Sequence, residues 1–238
     1  MIILKRLIFK LMRKSVLICI LITLFFYSCN NSPLFGPTRE GIIYYDISYI
    51  SNRLQKVPTG FLPKTMILKY KNHLSINTID GFMGLFSISY ISNLKKGVNI
   101  TLLKVMDNKY YYIGKKGGNP CGFDDLSGMS IELKPETKKI LGHDCQKVMI
   151  TFPFAKRDSF EAYYTYDFKV SNPNKTNPYR DIQGVLMQFN VKLSQIEMKF
   201  TATRFKNEKV NETIFNIPEG YQLISEAKMI ELINKLME

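Results

Sequence analysis

Few side chains in this sequence have the types and spacings that enzyme active sites use. The two histidines, His73 and His143, lie in separate segments and form no paired-histidine metal motif. Asp124 and Asp125 are adjacent carboxylates without the alternating oxygen ligands of a calcium loop. Cys145 has only His143 as a nearby base, and a disulfide or a buried thiol explains this cysteine more simply. Because nucleophile-elbow and phosphate-loop motifs are also absent, the sequence predicts no catalytic residue, metal, cofactor or enzymatic activity.

A different chemistry is indicated at Cys29, which follows a basic and then an apolar stretch. The first 14 residues contain five basic residues and no acidic one. The run Val16–Tyr27 is apolar except at Thr23. Its length suits a signal-peptide core and is short for a membrane span, which needs roughly 20 residues. The pattern predicts that residues 1–28 direct export and are removed, so that the mature chain begins at Cys29.

The residues Phe26-Tyr27-Ser28-Cys29 resemble the lipobox of bacterial lipoproteins in its looser form, with a bulkier residue at Tyr27 than the tighter consensus has. The resemblance implies acylation of Cys29, with palmitate among the chains, and a membrane anchor. Asn30 follows the cysteine, and by resemblance to lipoprotein sorting signals it implies the periplasmic face of the outer membrane. The alternative is an uncleaved N-terminal anchor, which would also place the rest of the chain outside the cytoplasm.

The mature chain is less basic than the whole sequence. Removing the signal takes five of the 33 basic residues and none of the 20 acidic ones, so the net charge falls from +13 to +8. Residues 29–40 are polar and rich in Pro and Gly, which is typical of a tether. Because the protein is expected to be exported and its basic residues are scattered, we expect no nucleic-acid partner. An AT-rich genome explains the lysines, and attraction to anionic headgroups is the alternative.

Cys121 and Cys145 are the two cysteines left for the mature fold, since Cys19 lies in the signal and Cys29 would carry lipid. A lone pair in an oxidising compartment predicts a disulfide. It would close a loop of about 25 residues and stabilise the fold by roughly 3.5 kcal/mol in the chain-entropy model. Two separate buried thiols are the alternative.

The rest of the chain is dominated by alternation of apolar and polar residues, from Gly41 to Phe205. Period two predicts strands, and the short turns between them predict antiparallel hairpins with one wet face. A helix is expected over about 225–237, capped by Ser225 and with an apolar stripe at helical spacing. We therefore predict one mainly β domain over 41–238, with about ten strands in a curved antiparallel sheet and a C-terminal amphipathic helix. Two stretches, 114–128 and 171–179, are long and irregular.

Four segments in order resemble motifs of uncharacterised Bacteroidota lipoproteins. They are Glu136–Lys147 with the pattern K-x-I-x-G-H-x-C-x-K, Tyr163–Thr165, Gly184–Phe189, and Phe215–Tyr221 with the pattern F-x-I-P-x-G-Y. The third segment lacks the proline of the glycine-leucine-proline (GLPGLI-type) relatives, so the resemblance is to the broader group. That resemblance implies the half-barrel fold of the lipoprotein carrier and acceptor proteins LolA and LolB, whose curved sheet has an apolar concave face.

A half-barrel would place two aromatic and aliphatic stripes around one apolar cavity, with the segment Gly81–Phe86 near its mouth. The predicted cavity residues are Phe82, Phe86, Tyr164, Tyr166, Phe168, Met187, Phe189 and Val191. Glycines flanking bulky residues in Gly81–Phe86 fit a flap or a membrane-touching loop, and the alternative is a strand start packed in the core. Two functions follow: binding of a hydrophobic ligand or acyl chain, or an accessory role in the envelope through an unidentified protein partner.

Overall fold

The computed structural model describes residues 39–52, 62–123, 126, 128–153, 158–193 and 196–236, with the backbone alone at 51, 52, 82 and 193. The predicted signal segment, Cys29, the predicted tether up to residue 38, and the pair Asp124 and Asp125 lie outside these residues. In the described part of the chain, no helix is long and apolar enough to cross a membrane.

Twelve strands form one sheet, and every strand pairing in it is antiparallel except the one between β12 and β6. The strands are β1 (Glu40–Asn52), β2 (Thr65–Lys71), β3 (Leu74–Asp80), β4 (Phe86–Asn93), β5 (Val98–Val105), β6 (Asn108–Ile113), β7 (Ser130–Ile140), β8 (His143–Thr151), β9 (Phe160–Thr165), β10 (Val185–Leu193), β11 (Ile196–Lys206) and β12 (Gln222–Leu223). Their order across the sheet is β12-β6-β5-β4-β3-β2-β1-β11-β10-β9-β8-β7. The single α-helix among the described residues is α1 (Glu226–Leu236), and short 3₁₀ helices lie at Phe82–Gly84 and Glu212–Phe215.

The mainly β, curved sheet with a C-terminal helix confirms the predicted fold class, and twelve strands replace the roughly ten expected. Two of the additional strands carry little sequence signal. Strand β12 has only two residues, and β6 contains the run Tyr110–Tyr112, which does not alternate in hydropathy. Short turns join β2 to β3, β4 to β5, β5 to β6 and β7 to β8. The turn between β7 and β8 holds both Leu141 and Gly142 at positive φ, a conformation typical of two-residue hairpin loops.

One face of the sheet, here called the inner face, carries the main apolar core and the helix. Ile43 and Tyr45 of β1 lie there beside Phe200 of β11, all essentially inaccessible to solvent. Helix α1 adds Met229 and Ile233, both fully buried in the same core. The Oγ of Ser225 accepts a hydrogen bond from the backbone N–H of Lys228 at 3.3 Å, as expected of a helix N-cap.

The opposite, outer face is also covered in part, which corrects the expectation of one wet face. The segment 207–221, which follows β11, packs against residues of β1, β4 and β5. Its Phe215 is buried, and Ile217 and Tyr221 pack against the same cluster. The motif F-x-I-P-x-G-Y therefore supplies the apolar cover of the outer face. Lys71 holds this segment by an ion pair with Glu212 at 3.2 Å.

Candidate functional site

A cavity lies on the inner face beneath the two long irregular stretches of the chain. The stretch 114–128 contributes Pro120, Phe123 and Leu126, and residues 170–179 close the other side. The cavity has a volume of about 110 Å³, which is room for on the order of eight water molecules. Most of its surface is apolar, with a wall formed mainly by Tyr45, Met66, Leu68, Ile79, Phe189 and Phe200.

Hydrogen bonds from the sheet and within the loops hold this cover in place. The Tyr90 hydroxyl donates to the carbonyl of Cys121 at 3.3 Å, and the Thr176 hydroxyl donates to Ser92 Oγ at 3.0 Å. The Asn174 amide donates to the carbonyls of Ile182 and Gly184 at 2.7 and 2.9 Å. Since these partners are backbone groups or buried side chains, both loops are tied to the sheet and to themselves.

The part of the cavity wall that β2, β3 and β4 form, here called the floor, consists of three rows of side chains set by the strand register. From the β2–β3 turn outwards, the rows are Tyr70, Ser75 and Ser92; Leu68, Asn77 and Tyr90; and Met66, Ile79 and Ile88. All of these residues except Ile88 line the cavity. The first row is polar, the second is mixed and the third is wholly apolar. The floor therefore changes from polar to apolar along the strand direction.

Two tyrosines that line the cavity are protonated at neutral pH. Burial raises the pKa of the Tyr45 and Tyr90 hydroxyls well above their usual value. The Tyr45 hydroxyl donates to the carbonyl of Leu186 at 2.9 Å. Among the described residues that line the cavity, Lys192 is the one with a charged side chain. Within the described ranges, moreover, no group of three or more His, Cys, Asp or Glu could hold a metal ion.

Of the eight predicted cavity residues, the structure places Phe189 and Val191 in the cavity wall. The Phe189 ring stacks on Phe200, with centroids 5.3 Å apart and an interplanar angle of 15°. Met187 is fully buried in the core without lining the cavity. These three residues alternate with polar neighbours along β10, as the sequence pattern predicts.

The predicted stripe Tyr164, Tyr166 and Phe168 does not line the cavity. Tyr164 is buried in a second apolar cluster, and Phe168 packs in the main core with its ring centroid 6.0 Å from that of Tyr70. Tyr166 is 65% exposed, which contradicts the prediction. The physical reason is that β9 ends at Thr165, so the alternation beyond it no longer belongs to a strand and does not fix the direction of each side chain.

The described side chains of the segment Gly81–Phe86 also lie outside the cavity lining. The side chain of Phe82 is not among those described, and the ring of Phe86 is partly buried against Gly81, where it leaves no room for a Cβ atom. Met83 and Leu85 are 84% and 52% exposed. The backbone N–H of Met106, itself exposed, donates to the carbonyl of Leu85 at 2.7 Å. The segment therefore forms an exposed apolar turn beside the β5–β6 turn.

The cavity wall also contains Tyr45, Leu68 and Tyr90, which were not among the predicted cavity residues. Each of them belongs to an alternating stripe in the sequence. Alternation assigns these side chains to one face of a strand but does not say which part of that face is left open. The part of the face that is left open depends on the positions of the loops 114–128 and 171–179, whose sequences carry no periodic signal.

Cys121 and Cys145 are separate buried thiols in the structure, which corrects the predicted disulfide. The Cys121 thiol faces the carbonyl of Glu226 at 3.9 Å, whereas the Cys145 thiol donates to the carbonyl of His143 at 3.5 Å. His143 Nδ1 lies 2.7 Å from Asp167 Oδ2. The hydrogen of the Cys145 thiol is thus directed at a backbone carbonyl and not at the imidazole, an arrangement that does not activate a nucleophile.

Both thiols are expected to resist alkylation in the folded protein. Burial raises the pKa of Cys121 to about 12 and that of Cys145 to about 11, so both are protonated at pH 8. Iodoacetamide at pH 8 should therefore modify neither cysteine in buffer and both in urea, as read by peptide mass. In the unfolded chain the two thiols ionise at a lower pH than they do in the folded protein. They should therefore lower the free energy of unfolding as the pH rises above about 9. Recovery of a crosslinked Cys121–Cys145 peptide without reduction would contradict the structure.

Comparison with known proteins adds a likeness in fold. No protein-family model matches the sequence, and a comparison with curated proteins gives no match. Among solved structures, that of PNGF-II in the C2 space group superposes with a TM-score of 0.51 at 14% sequence identity, over 82% of this chain and 33% of that chain. The chain thus spans about a third of the length of PNGF-II, and the likeness concerns the fold alone.

Proposed function

We propose that this chain is an exported, non-enzymatic lipoprotein, anchored through Cys29 at the periplasmic face of the outer membrane, which binds a hydrophobic ligand or acyl chain in a half-barrel cavity. The single observation that carries the proposal is the apolar cavity of about 110 Å³ on the inner face. Helix α1 buries Met229 and Ile233 in the core, yet the wall around Leu68 and Phe189 remains open. Ligand sites are typically concave and mostly apolar in this way.

The size and chemistry of the cavity favour a medium acyl chain. Each methylene transferred from water contributes roughly 0.8 kcal/mol, so about eight methylenes outweigh the ordering cost of binding. The wall residues Tyr45 and Tyr90 direct their hydroxyl groups to backbone carbonyls and present their rings to the cavity. An apolar chain would therefore displace water without leaving these polar groups unpaired.

The second candidate is an accessory role in the envelope through a protein partner. The observation that favours it is the exposed apolar turn at Met83 and Leu85, together with the adjacent Met106. Exposed clusters of large apolar side chains commonly mark contacts with proteins or membranes. In that case the cavity would hold only water, and no apolar probe would bind.

Filling the cavity should weaken binding of an acyl probe. Leu68 lies in the cavity wall, whereas its neighbour Ile67 is equally half-buried on the outer face. In Leu68→Trp, the larger ring would occupy the space of the ligand, so we expect the affinity for a fluorescent fatty acid to fall by about tenfold or more. Ile67→Trp, on the same strand, is the matched control and should keep the affinity of the wild type. Fluorescence titration of the mature Cys29→Ser chain measures both.

Two results would contradict the ligand-binding proposal. If the wild-type chain shows no saturable binding, the cavity does not hold acyl chains, and the accessory role is favoured. If Leu68→Trp and Ile67→Trp weaken binding equally while both remain folded by circular dichroism, the probe binds elsewhere on the protein.

A further inference from the structure

The cavity floor contains polar side chains whose hydrogen-bonding capacity is not used within the described chain. Ser75 is only 7% exposed and lies in the cavity lining, and no described residue forms a hydrogen bond with its hydroxyl. Asn77, two positions along the same face of β3, is half-buried and lines the cavity, and its side-chain amide likewise has no hydrogen-bond partner among the described residues. Because both side chains line the cavity, their hydroxyl and amide groups are available to a molecule bound in it.

These two groups belong to the more polar part of the floor, which changes from polar to apolar along the strand direction. Ser75 and Asn77 occupy the polar and mixed rows of the floor, and Ile79 of the same strand occupies the apolar row. Since strand residues two positions apart lie about 6.6 Å from each other, the gradient extends over about 13 Å. A ligand with a polar head and an apolar tail would match it along its length.

We infer that the ligand of the proposed cavity is an uncharged amphiphile, a monoacylglycerol-like molecule whose hydroxyl groups bind Ser75 and Asn77 and whose acyl chain lies over Ile79 and Met66. This inference rests on the proposed function and specifies its ligand class.

The absence of a charged partner on the floor decides against an ionised head group. The three floor rows of β2, β3 and β4 contain no acidic or basic side chain. A carboxylate beside Ser75 would lose its hydration without an ion pair, which is costly, whereas a glycerol hydroxyl can both donate to and accept from Ser and Asn. Lys192 is the exception in the described lining and belongs to β10, outside those rows.

The experiment compares three ligands with the same ten-carbon chain by titration calorimetry at neutral pH: monodecanoylglycerol, decanoate and decane. The protein is the mature chain with Cys29→Ser. We expect monodecanoylglycerol to bind at least about tenfold more tightly than decanoate. Ser75→Ala combined with Asn77→Leu should weaken monodecanoylglycerol by about tenfold and leave decane unchanged or tighter, since each neutral hydrogen bond contributes a factor of several.

The matched control is Ser89→Ala, because Ser89 is as buried as Ser75 but lies on the outer face, within 2.9 Å of Thr78 Oγ1. It should keep the affinity for all three ligands and lower the thermal midpoint. Ser75→Ala should not lower the midpoint, since it removes a hydroxyl that has no partner in the described part of the fold.

Three outcomes would overturn the inference. Equal binding of all three ligands would mean that Ser75 and Asn77 bind only water. Tighter binding of decanoate, lost in Lys192→Gln, would place an anionic head at β10. If none of the ligands binds, the proposed function itself fails, which is a different result from either of the first two.

Discussion

A Cys29→Ser chain is expected to be recovered almost entirely in the soluble periplasmic fraction, whereas the wild-type protein should sediment with the membranes. Lipid-anchored proteins are retained because each buried methylene contributes about 0.8 kcal/mol, and stable anchoring takes more than one acyl chain. Serine cannot carry the acylated thioether, so the whole anchor would be lost in one substitution. Fractionation followed by intact-mass measurement tests this, with the acyl mass absent from the variant.

The control for this experiment is Cys19→Ser, which changes the other cysteine of the N-terminal segment. Because Cys19 precedes the expected cleavage site, this variant should be acylated and should fractionate like the wild type. A Cys29→Ser protein that stays with the membranes and resists carbonate extraction would show that residues 1–28 remain as an uncleaved anchor.

Truncating the side chains that pack helix α1 against the core should produce the largest loss of stability. Met229 and Ile233 are fully buried in the main core, so truncating each to alanine removes apolar contacts and leaves a cavity. We expect Met229→Ala and Ile233→Ala each to lower the free energy of unfolding by about 2–5 kcal/mol. Because the two side chains lie one turn apart on the same face, their effects should not be additive. Urea denaturation, with the slope held common, measures the loss.

Ile230→Ala is the matched control in the same helix, since Ile230 is 38% exposed. It should change the free energy of unfolding by no more than about 0.5 kcal/mol. If Ile233→Ala costs as little as Ile230→Ala, the helix does not pack in the core as described, and the inner face would be more open than the cavity indicates.

The strands and the helix could be predicted because their patterns are local. Alternation in Val185–Leu193 predicted β10 and its apolar face, and the spacing of Met229 and Ile233 predicted the buried side of α1. The cover of the outer face could not be predicted in the same way. Residues 207–221 contain no periodic stripe, and their burial depends on contacts with strands far away in sequence.

The cavity was predicted less well than the fold, for a related reason. Phe189 and Val191 line the cavity, whereas Tyr166 is exposed because β9 ends before it. The disulfide was inferred from the number of cysteines and their compartment, which say nothing about the separation or direction of two side chains. In the structure, Cys121 contacts α1 and Cys145 contacts its own strand.

The central position of β1 governs when the sheet can be completed. Strands β1–β6 form one meander and β7–β11 another, and the two meet where β1 pairs with β11. Each meander needs only neighbouring segments, but this seam joins the first and the last long strands and closes the largest loop between paired strands. A polypeptide that emerges with its N-terminus first would therefore keep one edge of β1 unpaired until Lys206 had emerged. Unpaired edges recruit other strands, so a chain stalled before β11 should aggregate, and a chaperone that shields β1 during folding should raise the yield of folded protein.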